Sequence, residues 1–222
     1  MKWALKTIPG TELLIPSHDN GATVHIQAQK KLNWDAAFAA IPEVRLLKTG
    51  DVVFDVGAWI GDTTAEFLLH GCIVHAFEPR PDLFVCLSHN CPKALCYNLA
   101  LGNRETHGTV GPLGGNSGAY SLTAGDKFTI AIDDLPIQRL DFLKIDAEGY
   151  EGRVIAGAME TLKKFRPVLH LELNPHALAK FGDSPEGLIG TLKHIGYTVW
   201  RETYQCDGPT GPHWDCIVKN SL

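Results

Sequence analysis

Nowhere in the 222 residues is there an apolar run approaching the roughly 20 needed to cross a bilayer, and the first residues, MKWALKTIPGTELLIP, hold no apolar block followed by a small-residue cleavage site. The expectation is a soluble, cytoplasmic protein. An excess of positive charge is also missing: 20 Lys and Arg stand against 25 Asp and Glu, a formal net charge of −5. Such a chain has no long-range attraction to phosphate backbones, so no nucleic-acid partner is expected. The six cysteines, Cys72, Cys86, Cys91, Cys96, Cys206 and Cys216, contain no Cys-x-x-Cys pair. Cys86, Cys91 and Cys96 recur every five residues, a period that no helix places on one face, and Pro92 interrupts them. Free thiols rather than a zinc site are the reading, and no resident metal is assigned. Internal repeats and low-complexity segments are absent too.

What is present is enough apolar material, 45% of residues, for one large core. We expect a single domain over 1–222, with 1–50 as an N-terminal extension and 51–222 as the core. In the extension, ELLIPSHDNGATVHI has two apolar stretches around Asn20-Gly21, which predicts a β-hairpin over 11–27. Helical spacing from Trp34 to Leu47 follows, broken by Pro42. Beyond Gly50 the pattern alternates. DVVFDV, CIVHAFE and ALCYNLAL read as strands, and DTTAEFLLHG and RPDLFVCLSHN as the helices between them. Strand and helix in turn predict an α/β fold, a mostly parallel sheet with helices over both faces. Seven glycines between 102 and 127 break the rhythm, and short strands joined by loops, or a flap, are expected there. LDFLKID and PVLHLEL then read as strands around one helix from Glu151 to Phe165. Ser184-Pro185 opens another helix, and the tail from Gly196 to Asn220 reads as a hairpin closing the sheet.

In an open parallel sheet, ligands settle beyond the carboxyl ends of the strands. The first such end is DVGAWIG, where Gly57 and Gly61 lack the β-carbon that would hold a ligand away from the backbone. A dinucleotide site wants Gly-x-Gly-x-x-Gly. Here the pattern is Asp-x-Gly-x-x-x-Gly, one glycine short and led by Asp55. A carboxylate suits the sulfonium and ammonium charges of S-adenosylmethionine better than it suits a pyrophosphate. At the next strand end Glu78 can accept the two hydroxyls of a ribose; the alternative is a solvated acidic residue before Pro79.

The third end is KIDAEGYE. Alternation puts Lys144 and Asp146 on one face, Glu148 follows on the exit loop, and Glu172 and His176 are expected nearby from the next strand. Asp55, Glu78, Asp146 and Glu148 crowd one edge in this reading and call for a cation. The sulfonium, Lys144 or a divalent metal held by Asp146 and other oxygens would each serve. Asp146, Glu172 and His176 are candidate bases for an acceptor hydroxyl, with His176 as an ordinary loop histidine the alternative.

FDVGAWIGDTT, AFEPRPDLF, NLALGN, AIDDL, LDFLKIDAEGYEGRVIAGA and RPVLHLEL, in this order, resemble the successive motifs of FkbM-type methyltransferases. The resemblance spans about residues 50 to 175, and its most specific part is LKIDAEGYE followed by GA and RP. It implies the class I methyltransferase (Rossmann-like) fold, a seven-stranded sheet with one antiparallel strand, and S-adenosylmethionine as methyl donor. Asp55, Gly57, Ala58 and Gly61 would then hold the methionine end, Glu78 the ribose, and Ala100 and Leu101 would lie near the adenine. Trp59 departs from the pattern, since the family often has asparagine there. The implied activity is O-methylation of a sugar, glycan or other small molecule. A nucleotide-dependent oxidoreductase and a non-catalytic cofactor-binding module are the alternatives.

Overall fold

The structure, a computed structural model, describes residues 5–7, 12–17, 47–103, 107–112, 120–124, 127–208 and 211–220. The helix expected between 34 and 47 and the Asn20-Gly21 turn lie outside the described residues. The described residues form a two-stranded sheet, a four-stranded sheet and a seven-stranded sheet, the last in the spatial order Tyr197–Gly208, Gly211–Asn220, Val168–Leu173, Phe142–Ile145, Val52–Val56, Ile73–Phe77 and Leu95–Tyr97. The chain divides into two compact units, Met1–Leu99 with Pro112–Tyr120, and Ala100–Gly111 with Ser121–Leu222.

In the first unit, β1 (Leu5–Thr7) pairs antiparallel with β2 (Leu14–Pro16). β2 lies within the stretch expected as a hairpin over 11–27, and the part of that stretch beyond residue 17 lies outside the described residues. β3 (Val52–Val56), β4 (Ile73–Phe77) and β5 (Leu95–Tyr97) run parallel, with Asp55 opposite Ala76 and Phe77 opposite Tyr97. The connecting helices are α1 (Asp62–Leu69) and α2 (Pro81–Asn90). Four of the five β3 residues are buried, as a central strand covered on both faces demands. One core gathers Ile15, Ala58, Ile60, Ala76, Leu83 and Leu87 with the thiols of Cys86 and Cys91. Asn90 ties three parts of it together: its Oδ1 accepts from the Leu14 N–H at 2.8 Å, and its Nδ2 donates to the carbonyls of Leu14 and Ile60. Phe54, His75, Phe77 and Tyr97 form an aromatic row across the three strands, with ring centroids 4.9 to 5.8 Å apart.

In the second unit, β10 (Phe142–Ile145) and β11 (Val168–Leu173) are parallel. The long strands β12 (Tyr197–Gly208) and β13 (Gly211–Asn220) form the hairpin expected from the tail, and β13 runs against both of its neighbours. Four helices accompany them: α3 (Glu151–Ala156), α4 (Met159–Phe165), α5 (Pro175–Ala179) and α6 (Pro185–His194). Ser184 caps α6 by accepting the Gly187 N–H at 3.1 Å. The glycine-rich interval contributes β7 (His107–Pro112), β8 (Tyr120–Ala124) and β9 (Lys127–Ile130), which with β6 (Ala100–Leu101) make the four-stranded sheet. No helix among the described residues is long and apolar enough to cross a membrane.

Two intervals differ from the sequence reading. ALCYNLAL is two strands in different sheets, divided at the exposed Asn98, whose Nδ2 donates to the Glu78 carbonyl at 2.8 Å. The helix expected from Glu151 to Phe165 breaks at Gly157, where the chain presses against a neighbouring backbone. A β-carbon on Gly157 would lie 2.0 Å from the Gly102 carbonyl oxygen. Gly157→Ala should therefore destabilise the fold by about 1–3 kcal/mol or more in urea denaturation, and an unchanged midpoint would show that the contact yields freely.

Candidate functional site

At the end of β3 the chain turns through three left-handed residues, Gly57 at φ 77°, Trp59 at φ 47° and Gly61 at φ 99°. The glycines take this backbone readily, whereas Trp59 holds it at a cost of order 1–3 kcal/mol. Four of the bend's N–H groups are committed within the protein. Those of Gly57 and Ala58 donate to the Phe77 carbonyl at 3.0 and 3.1 Å, that of Gly61 to the Ala58 carbonyl at 2.9 Å, and that of Trp59 to Glu78 Oε2 at 3.0 Å. An anion that depends on this run of amides has little left to bind, unlike at a phosphate-binding glycine loop. Gly61 is bare for a further reason. A β-carbon there would lie 2.6 Å from the Cys91 sulfur, whose thiol donates to the Gly61 carbonyl at 3.2 Å. Burial pushes that thiol up to about 12, so Cys91 stays protonated and packs as an apolar group.

Asp55 lies beneath the bend with no exposed surface. Its Oδ2 accepts the hydroxyls of Thr63 and Thr64, at 2.8 and 2.7 Å, which tie the end of β3 to the first turn of α1. Glu78 stands at the end of β4, buried, with each carboxylate oxygen aligned by one backbone donor. Oε2 takes the Trp59 N–H, and Oε1 takes the Arg80 N–H at 2.8 Å. Burial raises its pKa to about 7 against the pull of those two N–H groups and of the Arg80 charge, and Asp82 adds to the rise. The result is a carboxylate fixed in direction whose charge titrates near neutrality, with lone pairs remaining on both oxygens.

The second unit holds a separate acidic group. Oxygens of Asp146, Glu148 and Glu172 all lie within 4.8 Å of one another, at the ends of β10 and β11. The buried Lys144 places Nζ 3.3 Å from Asp146 Oδ2. Burial alone would raise Asp146, but the Lys144 charge, a hydrogen bond with Glu172 and the nearby His170 hold its pKa below the usual carboxylate value. Glu148 behaves oppositely. Burial and the charges of Asp146 and Glu151 push it up to about 8, which leaves it protonated and a hydrogen-bond donor at neutral pH. It also sits at φ 53°, beside Gly149 at φ 101°. Glu151, 1% exposed, supports this loop by accepting the N–H groups of Ala147 and Gly149 at 2.8 and 3.1 Å, and burial raises it to about 7. The group has the ligands for a divalent ion or, equally, a base beside a proton donor.

The structure thus places Asp55, Gly57, Ala58, Gly61 and Glu78 at one bend, and Lys144, Asp146 and Glu172 in one acidic group. His176 is exposed on α5 and outside that group. Ala100 and Leu101 are buried in the second unit, paired with Thr129 and Ile130 of β9. Sequence reading missed Thr63 and Thr64, in the first turn of α1, and Glu151, at the start of α3. It missed His170 as well, although alternation along β11 puts His170 on the face of Glu172, and His170 is the register partner of Lys144.

Residues 126–199 match the family model of the methyltransferase FkbM domain. The chain is 29% identical over 151 residues to the hexuronic acid methyltransferase AglP of Haloferax volcanii, a match covering 59% of this chain and 60% of that protein. Over those residues the chain is similar to FkbM-type methyltransferases. Among solved structures it resembles methyltransferase FkbM from Methylobacillus flagellatus KT, with TM-score 0.51, 15% identity and coverage of 77% of this chain and 44% of that one. It also resembles magnesium protoporphyrin IX methyltransferase from Synechocystis PCC 6803 with bound SAM, with TM-score 0.54, 11% identity and coverage of 91% and 85%. The chain thus spans about 60% of the length of the curated relative it matches and less than half of the FkbM structure. With one strand, β13, reversed in a seven-stranded sheet, the fold is that of the class I methyltransferases.

The raised carboxyls make stability depend on pH in a stated direction. Glu151 and Glu148 bind protons more tightly folded than unfolded, so their contribution is full below the ordinary value of 4.5 and is lost as pH rises through about 7 and 8. Thermal melts should show Tm falling between pH 5.5 and 8.5. Glu151→Gln, which keeps the acceptor for both N–H groups, should flatten the fall; a wild type whose Tm climbs over that range would contradict the assignment.

Proposed function

We propose that this chain is an S-adenosylmethionine-dependent methyltransferase acting on a hydroxyl of a sugar or glycan, with 51–222 as its cofactor-binding core. One observation supports the cofactor most strongly. Glu78 is a buried, directed carboxylate at a strand end, beside a bend whose amides are bonded within the protein. Such an end suits a ligand recognised through paired hydroxyls, as a ribose is, and serves a pyrophosphate poorly, which disfavours the nucleotide-dependent oxidoreductase. The bound cofactor would supply a methyl group on a sulfonium. In this reading Glu78 accepts the ribose hydroxyls and the bend around Gly57 and Ala58 carries the methionine end, while Asp55 holds that bend to α1.

For the acceptor, methyl transfer to oxygen requires loss of the hydroxyl proton as the C–O bond forms. Asp146, kept ionised by Lys144, is the proton acceptor in this reading, with Glu172 hydrogen-bonded to it and the protonated Glu148 as donor to a substrate oxygen. The Lys144 ammonium already compensates Asp146 and would repel a divalent ion, which favours a base over a metal. The hexuronic acid methyltransferase among the relatives supports a sugar acceptor.

Calorimetric titration with S-adenosylhomocysteine and with NAD tests the cofactor. We expect binding of the first and none of the second; the reverse would return the oxidoreductase. Glu78→Ala should weaken S-adenosylhomocysteine by about 1–3 kcal/mol, roughly 5- to 150-fold. Asp146→Asn should keep the fold and the cofactor affinity while lowering turnover on uronic acids or lipid-linked glycans by roughly 10²-fold or more. Full turnover in that variant would remove Asp146 from the chemistry, and cofactor binding without turnover on any acceptor would favour a binding module.

A further inference from the structure

The segment that follows the ribose carboxylate reads Glu78-Pro79-Arg80-Pro81-Asp82, acid, base and acid separated by prolines. Both prolines lack an N–H and restrict φ, and each disfavours helical backbone in the residue before it. Arg80 accordingly sits extended at φ −79°, ψ 122°, and Pro81 opens α2. Between Glu78 and Asp82 the one N–H available is that of Arg80, and it is the donor to Glu78 Oε1. The Arg80 side chain turns back on Asp82, with Nε donating to Oδ1 at 3.0 Å and the second guanidinium nitrogen donating to Oδ2. Glu78, Arg80 and Asp82 are 5%, 7% and 7% exposed, so all three charges are interior.

A buried ion pair of this kind is weak support for a fold, since apolar residues of similar volume commonly serve as well. Its place beside Glu78 gives it another use. We propose that Arg80 and Asp82 are positioning residues for Glu78: the two-pronged bond to Asp82 fixes the Arg80 N–H that directs the carboxylate, and the charges of the pair set how readily Glu78 presents itself ionised to the ribose. This rests on the reading of Glu78 as the ribose contact.

The surroundings make the pair the controlling charges. From the bend Glu78 receives the Trp59 N–H, from β5 the Tyr97 carbonyl accepts its N–H at 3.0 Å, and Asn98 reaches its carbonyl. These partners are uncharged. The charged groups acting on it are Arg80, which favours the carboxylate, and Asp82, which opposes it with the smaller effect. A single carboxyl titrating near 7 makes cofactor affinity fall as pH drops below neutrality.

S-adenosylhomocysteine affinity measured by calorimetry from pH 5.5 to 8.5 tests the inference. Wild type should bind more weakly at the acid end with a midpoint near 7, and Glu78→Gln should remove that dependence. Asp82→Asn, which keeps an acceptor for Arg80 but deletes the opposing charge, should move the midpoint down by roughly one pH unit. The double variant Arg80→Met with Asp82→Leu, which leaves no buried charge alone, should move it up. Opposite displacements in two variants with native circular dichroism are not what a merely structural pair would give. If wild type and Glu78→Gln behave as stated but both pair variants keep the wild-type midpoint and affinity, the inference is overturned and the ribose reading stands. If wild type does not bind S-adenosylhomocysteine at any pH, both fall.

Discussion

A buried carboxylate cannot be left to find its own direction, and Glu78 is held by two backbone donors, one on each oxygen, from Trp59 in the bend after β3 and from Arg80 at the start of α2. Much of the first unit follows from satisfying that one group. Trp59 accepts a left-handed backbone that disfavours its side chain, and its N–H meets Glu78 from there. The Glu78 carbonyl in turn accepts from the Nδ2 of Asn98, the residue just past the end of β5. Desolvation raises the carboxyl and the donors lower it, and the balance falls near neutrality, where a ligand that prefers the ion can decide the outcome.

The second unit solves a similar problem by the opposite route. Asp146 is compensated by a full charge, Lys144, reached by the alternation of β10 that puts both residues on one face. Glu148 and Glu151 receive no such partner and are pushed toward the neutral acid. One ionised and one protonated carboxyl within a few ångströms, separated by environment rather than by type, is the arrangement that acid–base chemistry at neutral pH requires. Two of the three non-glycine residues at positive φ among the described residues, Trp59 and Glu148, belong to these two groups, and strain of that kind gathers where function constrains the backbone.

Alternation and capping made most of the sheet legible in the sequence. DVVFDV, CIVHAFE, LDFLKID and PVLHLEL are strands because their apolar runs bury both faces, and Ser184-Pro185 opens a helix for local reasons that need no tertiary contact. The breaks were not legible, because they come from contacts distant in sequence. Gly157 interrupts a good helical pattern only because the Gly102 carbonyl lies against it, and ALCYNLAL divides at Asn98, which donates to the Glu78 carbonyl. The candidate site shows the same limit. Glu78 and Asp146 were visible as strand-end acids, whereas the roles of Glu151 and Thr64 depend on which backbone or side chain the fold brings to them. Gly61 was read as room for a ligand, and the Cys91 sulfur gives its bareness an internal reason.

A crystal structure of the chain soaked with S-adenosylhomocysteine is the decisive measurement for the proposed grip of Glu78 on a ribose. Both ribose hydroxyls should lie within about 2.5–3.0 Å of the Glu78 carboxylate, with the Trp59 and Arg80 N–H bonds intact. A nucleoside bound elsewhere, or bound with its ribose turned away from Glu78, would contradict it.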